Sequence, residues 1–206
     1  MRTPFVLLPM SSRFPVNLIT GAAGAGKTTA ILRLLTKRPS DERWAVLIND
    51  FGHTTLRATP GITQGNVVVR DVAGCICCTA QVTLRTALVA LLRGAAPQRL
   101  LVEASAAARP ATLLQVFRDP GVAKAIDLRT TLCVVNLAQL SDTRYRHNEV
   151  YREQIAAADA LYVTTGDATA AAADTAARAE LQALRSKTAV LFSTSEPFGI
   201  DLLDHA

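Results

Sequence analysis

Residues 15–29 read "PVNLITGAAGAGKTT", an apolar run followed by a glycine-rich segment and the start of a helical pattern. The part from Gly21 to Thr28 matches G-x-x-x-x-G-K-[ST], in which glycines let the backbone wrap closely around phosphate oxygens. Successive N–H groups and the helix N-terminus present positive potential there. A coincidental glycine-rich turn is the alternative, but strand, motif and helix together predict a phosphate-binding P-loop.

Two side chains of this loop have predicted roles toward a nucleotide. Lys27 is expected to reach the β- and γ-phosphates and is a predicted catalytic residue, and the Thr28 hydroxyl is a predicted Mg²⁺ ligand. The predicted nucleotide-binding residues of the loop are Gly21, Gly24, Ala25, Gly26, Lys27, Thr28 and Thr29.

The rest of the chain alternates short apolar runs, rich in β-branched residues, with helical patterns. Strands covered on both faces have this nearly continuous apolar character, and alternating βα units favour a parallel sheet. We therefore predict an α/β fold, the three-layer P-loop NTPase fold with a mostly parallel central sheet. The predicted strands are 15–21, 44–50, 66–72, 99–105, 129–137, 160–165 and 188–194, and the predicted helices are 27–37, 79–93, 110–118, 148–158 and 170–186.

The chain is interpreted as one nucleotide-binding domain over 15–206, preceded by a loose leader over 1–14 and interrupted by a polar loop over 52–65. The formal charge of +5 comes from scattered basic residues with few aromatics between them, so nucleic-acid binding is not expected. No apolar run has the length of a membrane span, so a cytoplasmic location is expected. In that reducing compartment, clustered cysteines bind metal or react more often than they form structural disulfides.

A second Mg²⁺ ligand is expected at the carboxyl end of a strand, where α/β sheets place their ligands. Asp50 ends the run "AVLIND" and Glu103 lies in "LLVEAS". Both are predicted as catalytic and Mg²⁺-binding residues. Either carboxylate could instead cap the turn that follows it.

Cys75, Cys77 and Cys78 lie within four positions in "GCICC". Thiolates are soft ligands that favour Zn²⁺ or Cu⁺, and Gly74 permits the turn that lets all three converge. Three cysteines leave a tetrahedral ion one open position, which suits metal transfer better than a closed structural site. The alternatives are a turn of small residues packed in the core and a redox-sensing thiol.

The fourth ligand does not follow from the cysteines. Among three histidines, His53 after "NDFG" is the preferred candidate, while His147 is expected to start a helix and His205 lies in the tail. Cys133, inside a predicted strand, is interpreted as a buried apolar residue.

Five segments in order resemble the CobW family of metallochaperone GTPases, which belong to the SIMIBI class of P-loop GTPases. "GAAGAGKTT" (21–29) resembles its Walker A segment, "INDFG" (48–52) its N-E-F-G switch segment, and "GCICCTAQ" (74–81) its C-x-C-C metal motif. "EASAAARP" (103–110) resembles its Walker B segment, and "EQIAAADALYVTTGD" (153–167) the Q-I-x-x-A-D segment that leads into N-K-x-D. The chain is identified as a divergent member of this family.

The resemblance implies a mechanism. GTP and Mg²⁺ bind at the P-loop, and a divalent metal, usually Zn²⁺, binds the cysteine motif between the switch segments. GTP binding or slow hydrolysis then changes the affinity for the metal, which is delivered to a client protein. Related nucleotide-switch proteins often dimerise across the nucleotide face, so the resemblance allows a nucleotide-dependent homodimer.

The chain departs from the family pattern at the base-reading segment. Thr164 and Thr165 stand in place of the Asn and Lys of N-K-x-D, while Asp167 retains the group that pairs with guanine. Ser193, in "FSTSEPFG" (192–199), lies in a segment whose backbone N–H groups could meet the guanine carbonyl.

Other departures lie closer to the phosphates. Ala106 takes a Walker B glycine position, Asn136 a frequent Asp position, and His53 a frequent Glu position. Family members commonly carry a further C-terminal domain, whereas this sequence stops at 206, as a minimal G domain or a truncated chain would.

Two other hypotheses follow from these departures. One is a non-catalytic switch that binds metal and nucleotide, because Ala106, Thr164 and Thr165 replace family residues. The other is a P-loop phosphotransferase that uses ATP, because the guanine-reading Asn and Lys are absent, although the three cysteines argue against it.

Overall fold

The computed structural model describes residues 13–48, 56, 66–72, 80–164, 179, 181, 189–192 and 199–204. Within them the chain alternates strands and helices. The strands are β1 (Phe14–Thr20), β2 (Trp44–Ile48), β3 (Val67–Asp71), β4 (Arg99–Glu103), β5 (Ile126–Leu128), β6 (Leu132–Asn136), β7 (Ala160–Thr164) and β8 (Ala189–Phe192). The helices are α1 (Lys27–Lys37), α2 (Ala80–Ala95), α3 (Pro110–Arg118), α4 (Pro120–Ala123), α5 (Leu137–Ser141), α6 (Thr143–Arg146), α7 (Glu149–Ala156) and a 3₁₀ helix (Ile200–Leu203).

The strands form one sheet in the order β3-β2-β4-β1-β6-β7-β8, with β5 beside β1. The described pairings are all parallel, so the carboxyl ends of the strands lie along one edge. Buried apolar residues of α2 and α3 cover one face of the sheet. Those of α1 cover the other, and α5 and α7 pack on β6 and β7. The predicted three-layer α/β fold with a mostly parallel sheet is confirmed.

The predicted strand 129–137 corresponds to β6, which begins three residues later and ends one residue earlier, and β5 was not predicted. β5 pairs with the beginning of β1 from Phe14 to Val16, and β6 pairs with its end at Ile19 and Thr20. The Arg129 N–H donates to the Val16 carbonyl in the connection between them. Two short strands therefore share one side of β1, and the three residues of β5 are too short a run for the apolar pattern to mark as a strand.

Three short helices were missed because each is set by a polar side chain rather than by an apolar period. The side chains of Asp119, Asn136 and Asp142 accept hydrogen bonds from the first turns of α4, α5 and α6. His147 follows α6 as its C-cap residue, and α7 begins at Glu149 with Asn148 as the cap. The expectation that His147 starts a helix is wrong, because the Asn148 carboxamide supplies that cap.

Two apolar residues lie inside segments predicted with other properties. Leu56, in the predicted polar loop 52–65, is helical and fully buried in the core with α1, so the loop prediction is wrong there. Leu181 is helical and buried, in agreement with the predicted helix 170–186. Among the described residues no helix has the length and hydropathy to cross a membrane.

A buried polar network closes the amino ends of the strands. The Arg99 guanidinium donates to Asn17 Oδ1 at 2.8 Å and to both carboxylate oxygens of Asp204 at 2.8 and 2.9 Å. It also lies 5.3 Å from the centroid of the Trp44 ring. The Asn17 amide donates to the carbonyl oxygens of Thr130 and Leu203. The network fastens the 3₁₀ helix to the sheet, at the end opposite the P-loop.

Candidate functional site

The P-loop follows β1 at the carboxyl edge of the sheet, and its first glycine has no room for a side chain. Gly21 has φ +140°, and a Cβ atom there would lie 2.3 Å from the Val134 carbonyl oxygen of β6. Gly26, at the N-cap of α1, has φ +98° and offers no side-chain cap. The N–H groups that open α1 therefore face the loop without competition from a capping side chain.

Lys27 is buried at the base of the loop, with 5% of its surface exposed. Its ammonium group donates to the carbonyl oxygens of Gly21 and Ala22 at 3.0 and 3.1 Å. A cation at this position adds positive potential beneath the loop, where a phosphate would be bound.

Thr28 and Glu103 meet beside the loop. The Thr28 hydroxyl donates to Glu103 Oε1 at 2.7 Å, and Glu103, at the end of β4, is 2% exposed. The β1 and β4 strands are paired so that Ile19 lies opposite Glu103, which brings the carboxylate to the start of α1. A hydroxyl and a carboxylate side by side are hard oxygen donors, the type that Mg²⁺ prefers. The residues present therefore fit the predicted magnesium site.

The Thr164 hydroxyl, at the end of β7, contacts the loop from outside. It donates to the Ala25 carbonyl at 2.9 Å and lies 3.4 Å from the Val135 carbonyl. In the sequence, Thr164 was marked only as the residue in place of the Asn of N-K-x-D. The parallel pairing of β6 and β7 was the signal that could have placed its hydroxyl against the P-loop.

A second outside contact comes from α5 and was not predicted. The Gln139 side-chain amide donates to the Ala23 carbonyl at 2.6 Å and to the Tyr145 hydroxyl at 3.2 Å. Asn136, at the frequent Asp position, accepts from the Ala138 N–H and starts this helix. No local pattern in the sequence marks Gln139, because the contact depends on the order of the strands.

The loop after Glu103 is held by α7. The buried Gln154 amide donates to the carbonyl oxygens of Ala106 and Ala108, both at 3.1 Å. Arg109 forms ion pairs with Glu149 and Glu153, and its hydrogen bond lowers the pKa of the Glu149 carboxyl below the ordinary value.

These contacts give a physical role to the Q-I-x-x-A-D segment, in which sequence reasoning assigned no site residue. Gln154 ties it to the loop after β4, and Asp159 accepts from the Thr131 N–H at 2.7 Å at the start of β6. The segment therefore connects the Glu103 end of the sheet with the strands that flank the P-loop.

Cys133 lies in β6 and is fully buried, as predicted. Burial raises the pKa of its thiol to about 12, although contacts with Thr20 and Lys27 act in the opposite direction. A thiol of this kind stays protonated at neutral pH and is a poor metal ligand.

Part of the predicted site lies outside the described residues. This holds for Asp50, His53, Cys75, Cys77, Cys78, Asp167 and Ser193, whose roles stay predictions. Within the described ranges no three His, Cys, Asp or Glu side chains come together as a metal site. The structure thus brings together Lys27, Thr28 and Glu103 and leaves the metal motif untested.

The chain resembles known proteins in sequence. The family profile described as "CobW/HypB/UreG, nucleotide-binding domain" matches residues 15–192. The zinc chaperone YeiR of Escherichia coli is 38% identical over 153 residues, which cover 74% of this chain and 47% of YeiR. The zinc chaperone CobW of Pseudomonas aeruginosa is 29% identical over 210 residues, which cover 84% of this chain and 55% of that protein. The chain thus spans about half the length of these curated relatives.

Solved structures share the fold. The Zn(II)-bound YjiA GTPase from E. coli superposes with a TM-score of 0.67 at 22% identity, over 93% of this chain and 61% of YjiA. HypB from Helicobacter pylori in complex with nickel gives 0.57 at 13% identity, over 89% of this chain and 80% of HypB.

Proposed function

Because the chain belongs to the CobW/HypB/UreG family, we propose that it is a GTP-dependent metallochaperone-like protein that couples GTP binding and slow hydrolysis to the transfer of Zn²⁺ or a related divalent metal. The observation that carries the proposal is the contact between Thr28 and Glu103 at the mouth of a formed P-loop. The zinc chaperones among the relatives support the choice of metal.

The chain's own groups do the binding. The N–H groups of the P-loop and of the first turn of α1 donate to the phosphate oxygens. Lys27 moves from the carbonyl oxygens of Gly21 and Ala22 to the β- and γ-phosphates. Asp167 and Ser193 are the proposed guanine-side residues.

Thr28 and Glu103 would hold Mg²⁺, with Asp50 as a further proposed ligand. The ion supplies charge neutralisation for the bound phosphates when it is present. In the contact seen here, the Thr28 hydroxyl donates its hydrogen to Glu103, which leaves the lone pairs of the hydroxyl oxygen oriented away from the carboxylate.

The transported metal is proposed to bind Cys75, Cys77 and Cys78, with His53 as fourth ligand. The loop that follows Glu103 is the proposed link to the nucleotide. Its carbonyl oxygens at Ala106 and Ala108 are held by Gln154, so a movement of this loop on GTP binding would have to break or carry along those contacts.

The proposed partners are the nucleotide and a metal-requiring client protein, with a nucleotide-dependent homodimer as the proposed assembly and the cytoplasm as the proposed location. Nucleic acid is not a proposed partner, since the basic residues are scattered along the sequence and form no long run.

The nucleotide part is tested by GTP hydrolysis with and without Zn²⁺. We expect slow, Mg²⁺-dependent turnover in the wild type and none in Lys27→Ala. Lys37→Ala, an exposed lysine at the far end of the same helix, is the matched control and should keep full activity. Absence of GTP turnover in the wild type at every metal loading would refute the enzymatic part.

The metal part is tested with the three cysteines replaced together by serine. We expect near-stoichiometric Zn²⁺ binding to be lost while nucleotide binding remains. Cys133→Ala is the control and should bind Zn²⁺ as the wild type does, because its thiol is fully buried and protonated. Unchanged metal content in the triple variant would contradict the assignment.

A non-catalytic switch is the second candidate, favoured by the methyl group that Ala106 places in the loop after β4. Tight GTP binding without turnover would support it. Competition between ATP and GTP tests the third candidate, an ATP-using phosphotransferase, because Thr164 directs its hydroxyl to the P-loop rather than offering an amide.

A further inference from the structure

We infer that Gln139 is a positioning residue of the P-loop, whose side-chain amide holds the Ala23–Gly24 peptide with the Gly24 N–H directed at the bound phosphates. The inference rests on the proposed nucleotide binding. Gln139 does not touch the reacting atoms and acts through the peptide that it holds.

The Gln139 side chain contacts the P-loop on one side and Tyr145 on the other. Its Nε2 atom lies 2.6 Å from the Ala23 carbonyl and 3.2 Å from the Tyr145 hydroxyl. A Cβ atom built on Gly24 would lie 3.8 Å from the same nitrogen, so the side chain packs directly against the apex of the loop. Tyr145 is in turn packed edge-to-face on Tyr151 at 5.5 Å. The amide is therefore supported by α6 and α7 as well as by α5.

The contact also fixes the direction of the Gly24 N–H, because the peptide bond between Ala23 and Gly24 is planar. The described residues contain no cis peptide, and in a trans peptide the C=O and the following N–H point in opposite directions. Gln139 draws the Ala23 carbonyl outward, away from the loop, so the Gly24 N–H must point inward. Thr164 acts on the Ala25 carbonyl in the same sense and directs the Gly26 N–H.

The orientation of the Gln139 amide follows from its neighbours. Its Oε1 atom is buried and has no hydrogen-bond partner among the described residues. Turning the amide over would place Oε1 against the Ala23 carbonyl, which would oppose two acceptors. Leaving the buried Oε1 atom unsatisfied is costly, and the hydrogen bond that Nε2 donates to the Ala23 carbonyl offsets this cost.

The inference is tested by the Kd of a non-hydrolysable GTP analogue with Mg²⁺, measured by calorimetry. Gln139→Leu keeps the size of the side chain and removes the donor, and we expect binding to weaken about 3- to 10-fold, the effect of one hydrogen bond. Gln115→Leu, on the exposed face of α3, is the matched control and should bind as the wild type does.

Gln139→Glu tests the donor itself, because a purely structural role of Gln139 would not make the nucleotide affinity of this variant depend on pH. An ionised carboxylate cannot donate to the Ala23 carbonyl, whereas a protonated one can. Tyr145 is the titratable group in contact with this position, while Lys27, Asp142 and Arg144 lie on the surrounding elements. We expect the loss of affinity relative to the wild type to be large at pH 8 and to shrink toward pH 4.5, close to the ordinary pKa of a Glu carboxyl of about 4.3, while that of Gln139→Leu stays constant.

The outcomes separate the two claims. A wild type that binds no nucleotide refutes the proposed function, whatever the variants do. A wild type that binds, with Gln139→Leu equal to it in Kd, overturns the inference, because then only the added charge matters in Gln139→Glu. Equal losses in both variants at every pH, with a parallel fall in Tm, also overturn it and assign Gln139 to folding.

Discussion

The two ends of the parallel sheet both bury polar side chains, but they use them differently. At the amino ends, Arg99 and Asn17 are 8% and 0% exposed, and their partners are side chains and the carbonyl oxygens of Thr130 and Leu203. At the carboxyl ends, Lys27 and Glu103 are 5% and 2% exposed, and they contact the P-loop carbonyls and the Thr28 hydroxyl.

The amino ends of the sheet serve mainly the stability of the fold, and the carboxyl ends serve mainly ligand binding. The amino-end network joins distant segments of chain, Asn17 to Leu203 and Arg99 to Asp204, so its loss should loosen the fold. The carboxyl-end contacts shape one loop from outside, so their loss should weaken ligand binding more than folding.

The largest effect is expected where the loop meets the sheet. In Gly21→Ala, the new Cβ atom would lie 2.3 Å from the Val134 carbonyl at a φ that favours glycine, and we expect the free energy of unfolding to fall by about 3–5 kcal/mol. Gly94→Ala meets nothing within 4 Å in α2 and should raise it by up to about 1 kcal/mol. Urea denaturation measures both, and equal stabilities would contradict the close packing of the loop.

The second-largest effect is expected on stability, from the network at the amino ends of the strands. Arg99→Met leaves Asn17 Oδ1 buried without its donor, and we expect a loss of about 2–4 kcal/mol in the free energy of unfolding. Asp204→Asn should cost less than about 1 kcal/mol, because the Asp204 side chain is 47% exposed. The nucleotide affinity of the folded protein should stay unchanged in both variants. A tenfold higher Kd in either would show that the amino-end network also affects nucleotide binding.

The smallest effect tests the outside contact from β7. Thr164→Val removes one hydroxyl at nearly constant volume, and we expect about 1 kcal/mol or less in stability with a roughly 3- to 10-fold weaker Kd for the GTP analogue. Thr86→Val, on the exposed face of α2, removes a hydroxyl that bonds only within its own helix and should leave the Kd unchanged. Thermal denaturation and calorimetry on the same preparations compare the two changes.

Much of the fold was predictable because local patterns determine it. Helices Lys27–Lys37 and Pro110–Arg118 were predicted to the residue, since a glycine-rich loop and a proline mark their starts. Most strands ended within two residues of their predicted bounds. β5 was missed, because its three residues are too short a run to mark a strand and only the pairing with β1 reveals it.

The site was predictable where a side chain acts through its own motif and not where it acts through a neighbour. Thr28 and Glu103 were both named from sequence, and the structure places them in contact. Gln139 and Gln154 were missed, because each donates to a loop far away in sequence that strand order alone brings near.

Coupling between nucleotide binding and metal binding can be measured in one titration. Zn²⁺ affinity of the wild-type chain would be measured by competition with a chromophoric chelator, once with Mg²⁺ and a non-hydrolysable GTP analogue and once with Mg²⁺ and GDP. Coupling predicts apparent Kd values for Zn²⁺ that differ by about 5-fold or more between the two nucleotide states. The same Kd for Zn²⁺ in both nucleotide states would contradict the proposed coupling.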